Sequence, residues 1–192
     1  MKELNIGGLI ARVPIIQGGM AVGISRSGLA SAVANAGGVG VIATAGIGHL
    51  EDDLYSNFIG ANNRIFIEEI RKAKSLTKGI IGVNIMVALS NYALLAKIAI
   101  EEGIDIIFSG AGLPLNLPSF LPEGNTHTKL VPIVSSGKAL TLIARLWTNS
   151  NNKPVITNGF MHFFGCYRIM TWWAMRDSNS RHLASEASTL SN

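Results

Sequence analysis

From residue 13 to residue 136 the chain alternates short, continuously apolar runs with longer stretches in which apolar residues recur every three or four positions. The apolar runs are "VPIIQ" (13–17), "VGVIA" (39–43), "IIGVNIMV" (80–87), "IDIIFS" (104–109) and "KLVPIVSS" (129–136). They lack the in–out alternation of a half-exposed strand, so they predict strands covered on both faces. Between them the spacing predicts helices over 25–37, 63–78, 90–102 and 137–148, with a short proline-broken segment at 115–123. Ser25 is the expected N-cap of the first helix and Gly37-Gly38 its stop. The second sets Phe66, Ile70 and Ala73 on one face and spaces Glu68 and Lys72 for an i,i+4 pair. The third opens at Ser90 with Leu94 and Ile98 on one stripe, and the last carries Leu140, Ile143, Ala144 and Trp147.

Strand and helix in strict alternation, joined by short glycine-rich turns, predict right-handed βαβ units and a parallel sheet. An open doubly wound sheet normally carries G-x-G-x-x-G after its first strand. Here that strand is followed by "GGMAVGIS", and "GVG" (38–40) and "GAG" (110–112) are isolated fragments. The expected fold is therefore α/β of (β/α)8 TIM-barrel type. It is expected to be incomplete: five β/α units fill residues 1–148, whereas eight such units need roughly 240 residues. The remaining 44 residues include 15 Ser, Thr or Asn and six aromatics, with no helical period and no clean strand beyond a possible "PVIT". They predict two regions, a partial barrel at 1–148 and an irregular, poorly ordered tail at 149–192.

Composition narrows the class further. Hydrophobic residues make up 48% of the chain and mean hydropathy is +0.34, which excludes a disordered chain. The longest apolar region, 79–100, is broken by Asn84, Ser90, Asn91 and Lys97, too polar for a membrane span, and no signal-peptide core follows Lys2. A cytoplasmic protein is expected. The net charge of +4 carries no basic stripe: residues 1–148 hold 12 basic and 10 acidic side chains, so nucleic-acid binding is not expected. Cys166 stands alone, and His49, His127, His162 and His182 lack metal-ligand spacing, so no metal site is expected.

Candidate chemistry gathers where strands end. In "QGGM" (17–20), Gly18 and Gly19 offer bare backbone that a flat ring could approach, or they simply make a tight βα turn. Asn84 interrupts an apolar strand and must either bond neighbouring backbone or meet a ligand edge. Ser109 and Ser135-Ser136 end two later strands. Active sites of this fold collect at the C-terminal ends of the strands, so these positions predict one polar, glycine-lined mouth.

The stretches "PIIQGGM", "ASAVANAGGVGVI", "GVNIMV", "IIFSGAGLP" and "KLVPIVSS", in this order and spacing, resemble the nitronate monooxygenase family, and its relatives the flavin-type enoyl-acyl-carrier-protein reductases, over roughly residues 1–148. The resemblance implies a flavoprotein that binds FMN at the barrel mouth. Gly18, Gly19 and Met20 would lie along the flavin ring, Asn84 would hydrogen-bond it, and Ser109 and Ser135 would stand at strand ends nearby. The implied activity is oxidation of alkyl nitronates with O2. The alternatives are enoyl-thioester reduction with NAD(P)H, or a non-catalytic flavin-binding fragment. The family's "GGH" segment and its later phosphate-binding glycine loops have no counterpart here, so no catalytic residue is assigned. His162 in "NGFMHFFG" lacks the glycine pair and does not inherit the role. The tail is accordingly expected to be frameshifted or read-through sequence, the chain weakly active or inactive, and its open barrel edges available for self-association.

Overall fold

A computed structural model describes residues 2–125, 127–148, 159–162 and 173–174. An antiparallel hairpin, β1 (Leu4–Ile6) and β2 (Leu9–Ala11), precedes the alternating part. Then follow α1 (Ser27–Asn35), β3 (Val39–Ala43), α2 (Phe58–Leu76), β4 (Ile80–Met86), α3 (Tyr92–Glu101), β5 (Ile106–Gly110), a 3-10 turn (Leu117–Phe120), β6 (Lys129–Val134) and α4 (Gly137–Thr148). Strands β3, β4, β5 and β6 pair in parallel in that order. Residues 13–17 run beside β3 through a parallel bridge at Ile16 and Val39, which makes them the first strand position of the sheet. The architecture is α/β, of (β/α)8 barrel type, with five β/α units through α4.

Each face of the sheet has its own core. Helices cover one face, where Ile42, Ile81, Val83, Ile85, Ile107, Leu130 and Val134 meet Ala30, Phe66, Ile70, Leu95, Ile143 and Trp147. On the other face Val39, Val41, Ile106, Phe108 and Val131 pack with Leu4, Ile6, Ala11 and Ile16, so the N-terminal hairpin fills that side. Gly82 of β4 faces the Phe108 ring on this side: a Cβ there would stand 2.6 Å from the ring edge. This two-sided burial is why the strands read as unbroken apolar runs.

Several expectations are corrected. The hairpin carries its own signal, since Gly7 (φ 56°) and Gly8 (φ 94°) make the mirror-image turn that joins tight hairpins, and Asn5 Oδ1 accepts from the Gly8 amide. "VPIIQ" forms ladder bonds without becoming a regular strand; Pro14 has no N–H to donate. Helix α2 starts five residues earlier than predicted, where Asn57 caps Gly60 N. Ser25 is not the cap of α1: Arg26 holds that position without a side-chain bond, and the carboxylate of Glu69 accepts from Ser27 N at 2.6 Å. Glu68 and Lys72 close no ion pair; their neighbour Glu69, buried, takes Arg26 at 3.2 Å. Leu94 is exposed, while Leu95, Ile98 and Ala99 carry the buried stripe of α3. The third helix opens at Tyr92 after Asn91, not at Ser90.

Of residues 149–192, the structure describes two short strands. β7 (Gly159–His162) pairs in parallel with β6, and β8 (Trp173–Ala174) pairs antiparallel with β7. The expectation of no clean strand in this part is thus corrected at 159–162. "PVIT" and Cys166 lie outside the described residues, as do Phe163, Phe164, Trp172 and His182.

Helix α1 sits against β3 with almost no side chain between them. A Cβ added to Gly40 would overlap the Ala30 carbonyl on α1, a backbone atom that cannot swing aside. Gly40→Ala is therefore expected to destabilise the fold by about 3 kcal/mol or more. Chemical denaturation of the two proteins measures it; an unchanged midpoint would mean that α1 can lift off β3 freely.

Candidate functional site

The site is built where residues 13–17 leave the sheet. Val39 N donates to Ile15 O and Gln17 N to Val39 O, as a parallel ladder requires. The next rung is made by a side chain. Gln17 Oε1 accepts from Val41 N at 3.1 Å, and Gln17 Nε2 donates to Val41 O at 3.0 Å. The Gln17 amide thus does what a further peptide unit would do, and the backbone after it is released from the sheet. Gln17 Nε2 also reaches Ser25 Oγ at 3.1 Å. Ser25, fully buried, ties the released loop at its neck: its hydroxyl accepts from Met20 N at 2.9 Å and donates to Gly18 O at 3.2 Å. Ser25 N donates to Met20 O, and Ser25 O accepts from Ala43 N on β3. This is why Ser25 does not cap α1. Its hydroxyl is already committed.

The loop so pinned lies over Asn84. A Cβ at Gly19 would stand 2.5 Å from Asn84 Cβ, so bare backbone at 19 is what lets the two meet. At Gly18 an added Cβ would meet nothing within 4 Å, so that backbone faces open space. Met20 is exposed at 58%. Asn84 itself is half-buried near the end of β4, and its carbonyl accepts both the amide and the hydroxyl of Thr44, at 3.1 and 3.0 Å. Its side-chain amide has no hydrogen-bond partner among the described residues. Of the two readings the sequence leaves open for this residue, the one that satisfies its side chain from neighbouring backbone is not what the structure shows.

Ser109 is a different case. It is completely buried, and its hydroxyl lies 2.9 Å from Tyr92 Oη on α3, on the helix-covered side of the sheet. Its side chain is not brought to the mouth. Phe108 and Gly110 flank it on the opposite face. Ser135, directly after β6, is exposed, and Ser136 Oγ accepts from Ala139 N to start α4. The structure therefore gathers Gly18, Gly19, Met20 and Asn84 into one contact region, leaves Ser135 at a strand end of the same edge, and turns Ser109 away.

Further residues of this edge escaped the sequence reading. Gln17, Ser25 and Thr44 carry the bonds just described, and Val22, a β-branched residue at φ 53°, bonds Ala45 O across the loop. The His49 ring rests on Gly23, where an added Cβ would overlap the ring. The loop holding His49 is tied to α2 by Arg64, which reaches Asp53 at 2.7 Å and Glu51 at 2.9 Å and holds the Asp53 carboxyl below its ordinary value. The signal in each case was a polar or glycine residue next to a strand end, but the partner lies far away in sequence. Among the described residues no group of three His, Cys, Asp or Glu side chains could hold a metal ion, and no helix is long and apolar enough to cross a membrane.

A family profile described as nitronate monooxygenase matches residues 5–150. Among solved structures, FabK from Thermotoga maritima is similar at 29% identity, with a TM-score of 0.53, over 69% of this chain and 37% of that one. A point mutant of the same protein gives 29%, 0.55, 69% and 40%. A nitroalkane oxidase from Streptomyces ansochromogenes shares the fold at 16% identity and a TM-score of 0.56, over 71% of this chain and 44% of that one. The chain thus spans less than half the length of these structures. No curated protein matches it.

The Tyr92–Ser109 pair behind the site supplies a pH signature. Burial pushes the Tyr92 phenol up from 10.0 to about 12, against the opposing effect of its bond to Ser109. The unfolded chain ionises this group near its ordinary value while the folded chain keeps it neutral, so its contribution to stability is complete below pH 10 and is lost as pH rises toward 12. Tyr92→Phe is expected to remove that part of the alkaline slope and to cost about 1–2 kcal/mol at neutral pH, by leaving the Ser109 hydroxyl unpaired. Urea titrations at pH 8 and pH 11 measure both effects; parallel curves for the two proteins at every pH would refute the assignment.

Proposed function

Since the chain belongs to the nitronate monooxygenase family, we propose that its mouth is the ring-binding part of an FMN-dependent oxidoreductase of the nitronate-oxidising type. The observation that carries this reading is the unpartnered side-chain amide of Asn84 lying against the bare backbone of Gly19. A planar heterocycle with hydrogen-bonding edges suits that pair: glycine backbone lets a ring come close, and an amide offers both N–H donors and an acceptor oxygen. Gly18 and Gly19 would lie along the ring, Asn84 would read its edge, and Met20 would supply exposed apolar contact beside it. Ser135 would stand at the neighbouring strand end. Ser109 would contribute through its backbone, since its hydroxyl already bonds Tyr92.

Bound FMN would supply the redox centre that accepts electrons from the substrate. The part of the chain is to seat the ring and keep its edge bonded. The substrate proposed is a small alkyl nitronate, and no catalytic base is assigned. The family-like region is proposed to end at residue 148, with 149–192 a separate tail. Seating of the phosphate by residues 1–148 is not part of the proposal, so the flavin is expected to bind loosely and nitronate oxidation to be weak.

The test is a titration of the purified chain with FMN, followed by its visible spectrum and fluorescence. A saturable shift of the flavin bands is expected, largely lost on desalting, with slow nitronate-dependent O2 uptake. Asn84→Leu should weaken binding about tenfold or more, by removing the polar edge contact. Gly19→Ala should do so by pushing the loop off Asn84. No spectral change at saturating FMN would sink the proposal. Oxidation of NAD(P)H by an enoyl thioester, without nitronate turnover, would transfer the site to the reductase reading.

A further inference from the structure

We infer that Gln17 and Ser25 are positioning residues for the ligand at this mouth: together they form a clamp that fixes the loop 18–24 against Asn84. The inference rests on the flavin reading above for its ligand, but its geometry stands alone. The ladder along residues 13–17 is continued by the Gln17 side chain in place of backbone, with both polar atoms of the Val41 peptide edge engaged. A parallel strand that went on pairing at this point would carry Gly18 and Gly19 along β3. The side-chain rung ends that course and frees the glycines to cross toward β4, where Gly19 meets Asn84. Ser25 then closes the loop. Its hydroxyl holds the amide of Met20 and the carbonyl of Gly18, its backbone holds Met20 O, and its own carbonyl is anchored on Ala43 of β3.

Neither residue needs to touch the ligand. Gln17 is occupied by Val41 and Ser25, and Ser25 is fully buried. Their effect is on the position of Gly18, Gly19 and Met20, the loop residues that would touch it beside Asn84. The loop contains Val22 and Gly23 at positive φ, and Val22 is strained there, so the loop would not keep this path without its neck bonds. A clamp of this kind binds ligand better by removing the need to order the loop on binding.

Two variants test it, Gln17→Met, which keeps length and loses the amide, and Ser25→Ala. In the full chain, amide hydrogen exchange of Met20 and Val41 should rise about tenfold or more in each, since each variant frees a loop or strand N–H from its acceptor or from the network holding it. Exchange at Val83 on β4 should stay as in the parent. FMN affinity should fall about tenfold in both. Ser31→Ala is the control: Ser31 is also buried and bonds Ser27 O within α1, so its loss should lower the melting point without moving loop exchange or FMN affinity. Unchanged exchange at Met20 and Val41 in both variants would overturn the clamp whatever the flavin result. Faster exchange with unchanged FMN affinity would overturn the positioning role. If the parent chain binds no FMN, the functional reading fails and with it the positioning of flavin; altered exchange in the variants would then identify the clamp as a folding device only.

Discussion

The structure depends on one substitution of side chain for backbone. Gln17 bonds Val41 as a peptide group would, and at that point the first strand position can stop without stranding a donor and an acceptor on β3. Unpaired groups in a buried ladder cost free energy comparable to a lost hydrogen bond each, so a chain that simply turned away would be destabilised. The primary amide of glutamine carries an acceptor oxygen and two N–H donors, so one donor and the acceptor meet Val41 while the second donor reaches Ser25. Its one extra methylene, compared with asparagine, lengthens the reach from the departing backbone back to the ladder. Everything on the mouth side follows from where the chain is released.

The helices are held by two unlike devices. Small residues bring α1 down onto β3 and β4: Ala30 faces Gly40, and Ala34 lies where a Cβ of Gly79 would stand 2.6 Å from its carbonyl. Such contact leaves no side chain to adjust, so the position of α1 is set by backbone against backbone. The link from α1 to α2 is electrostatic instead. Glu69, on α2, accepts from Ser27 N and pairs with Arg26, placing a carboxylate at the N-terminus of α1, where the helix dipole favours it. At the far end of the α/β part α4 is fastened by Trp147, whose indole N–H donates to Pro114 O in the loop that follows β5. The two ends of the α/β part are therefore fixed through main-chain carbonyls, those of Ala30 and Ala34 at one end and that of Pro114 at the other.

Much of this was legible from the amino acids. The runs at 39–43, 80–87 and 129–136 became β3, β4 and β6 with little shift, because burial on both faces demands uninterrupted apolar residues. The same burial hid which face a polar residue occupies. Asn84 and Ser109 look alike in sequence, each a lone polar residue in an apolar strand. With both faces apolar there is no alternation to tell that one points toward the mouth and the other toward α3. The hairpin at 4–11 was missed because its strands have three residues each, too short for a period, although its Gly-Gly turn was on view. Ser25 misled for a related reason. A serine before a helix is a fair cap by local rules, but bonds to Gly18, Met20 and Gln17 outcompeted that role, and no local rule weighs partners across a loop.

The missing side chain at Gly82 has a wider consequence. Phe108 leans into the room it leaves, so that two neighbouring strands share one aromatic ring, and the level beneath Asn84 is hydrocarbon: Val41, Ile106, Phe108 and Val131, all buried. Asn84 thus stands at the edge of an apolar layer that two strands build together. How closely that layer packs is set by a glycine two residues before Asn84 on the same strand.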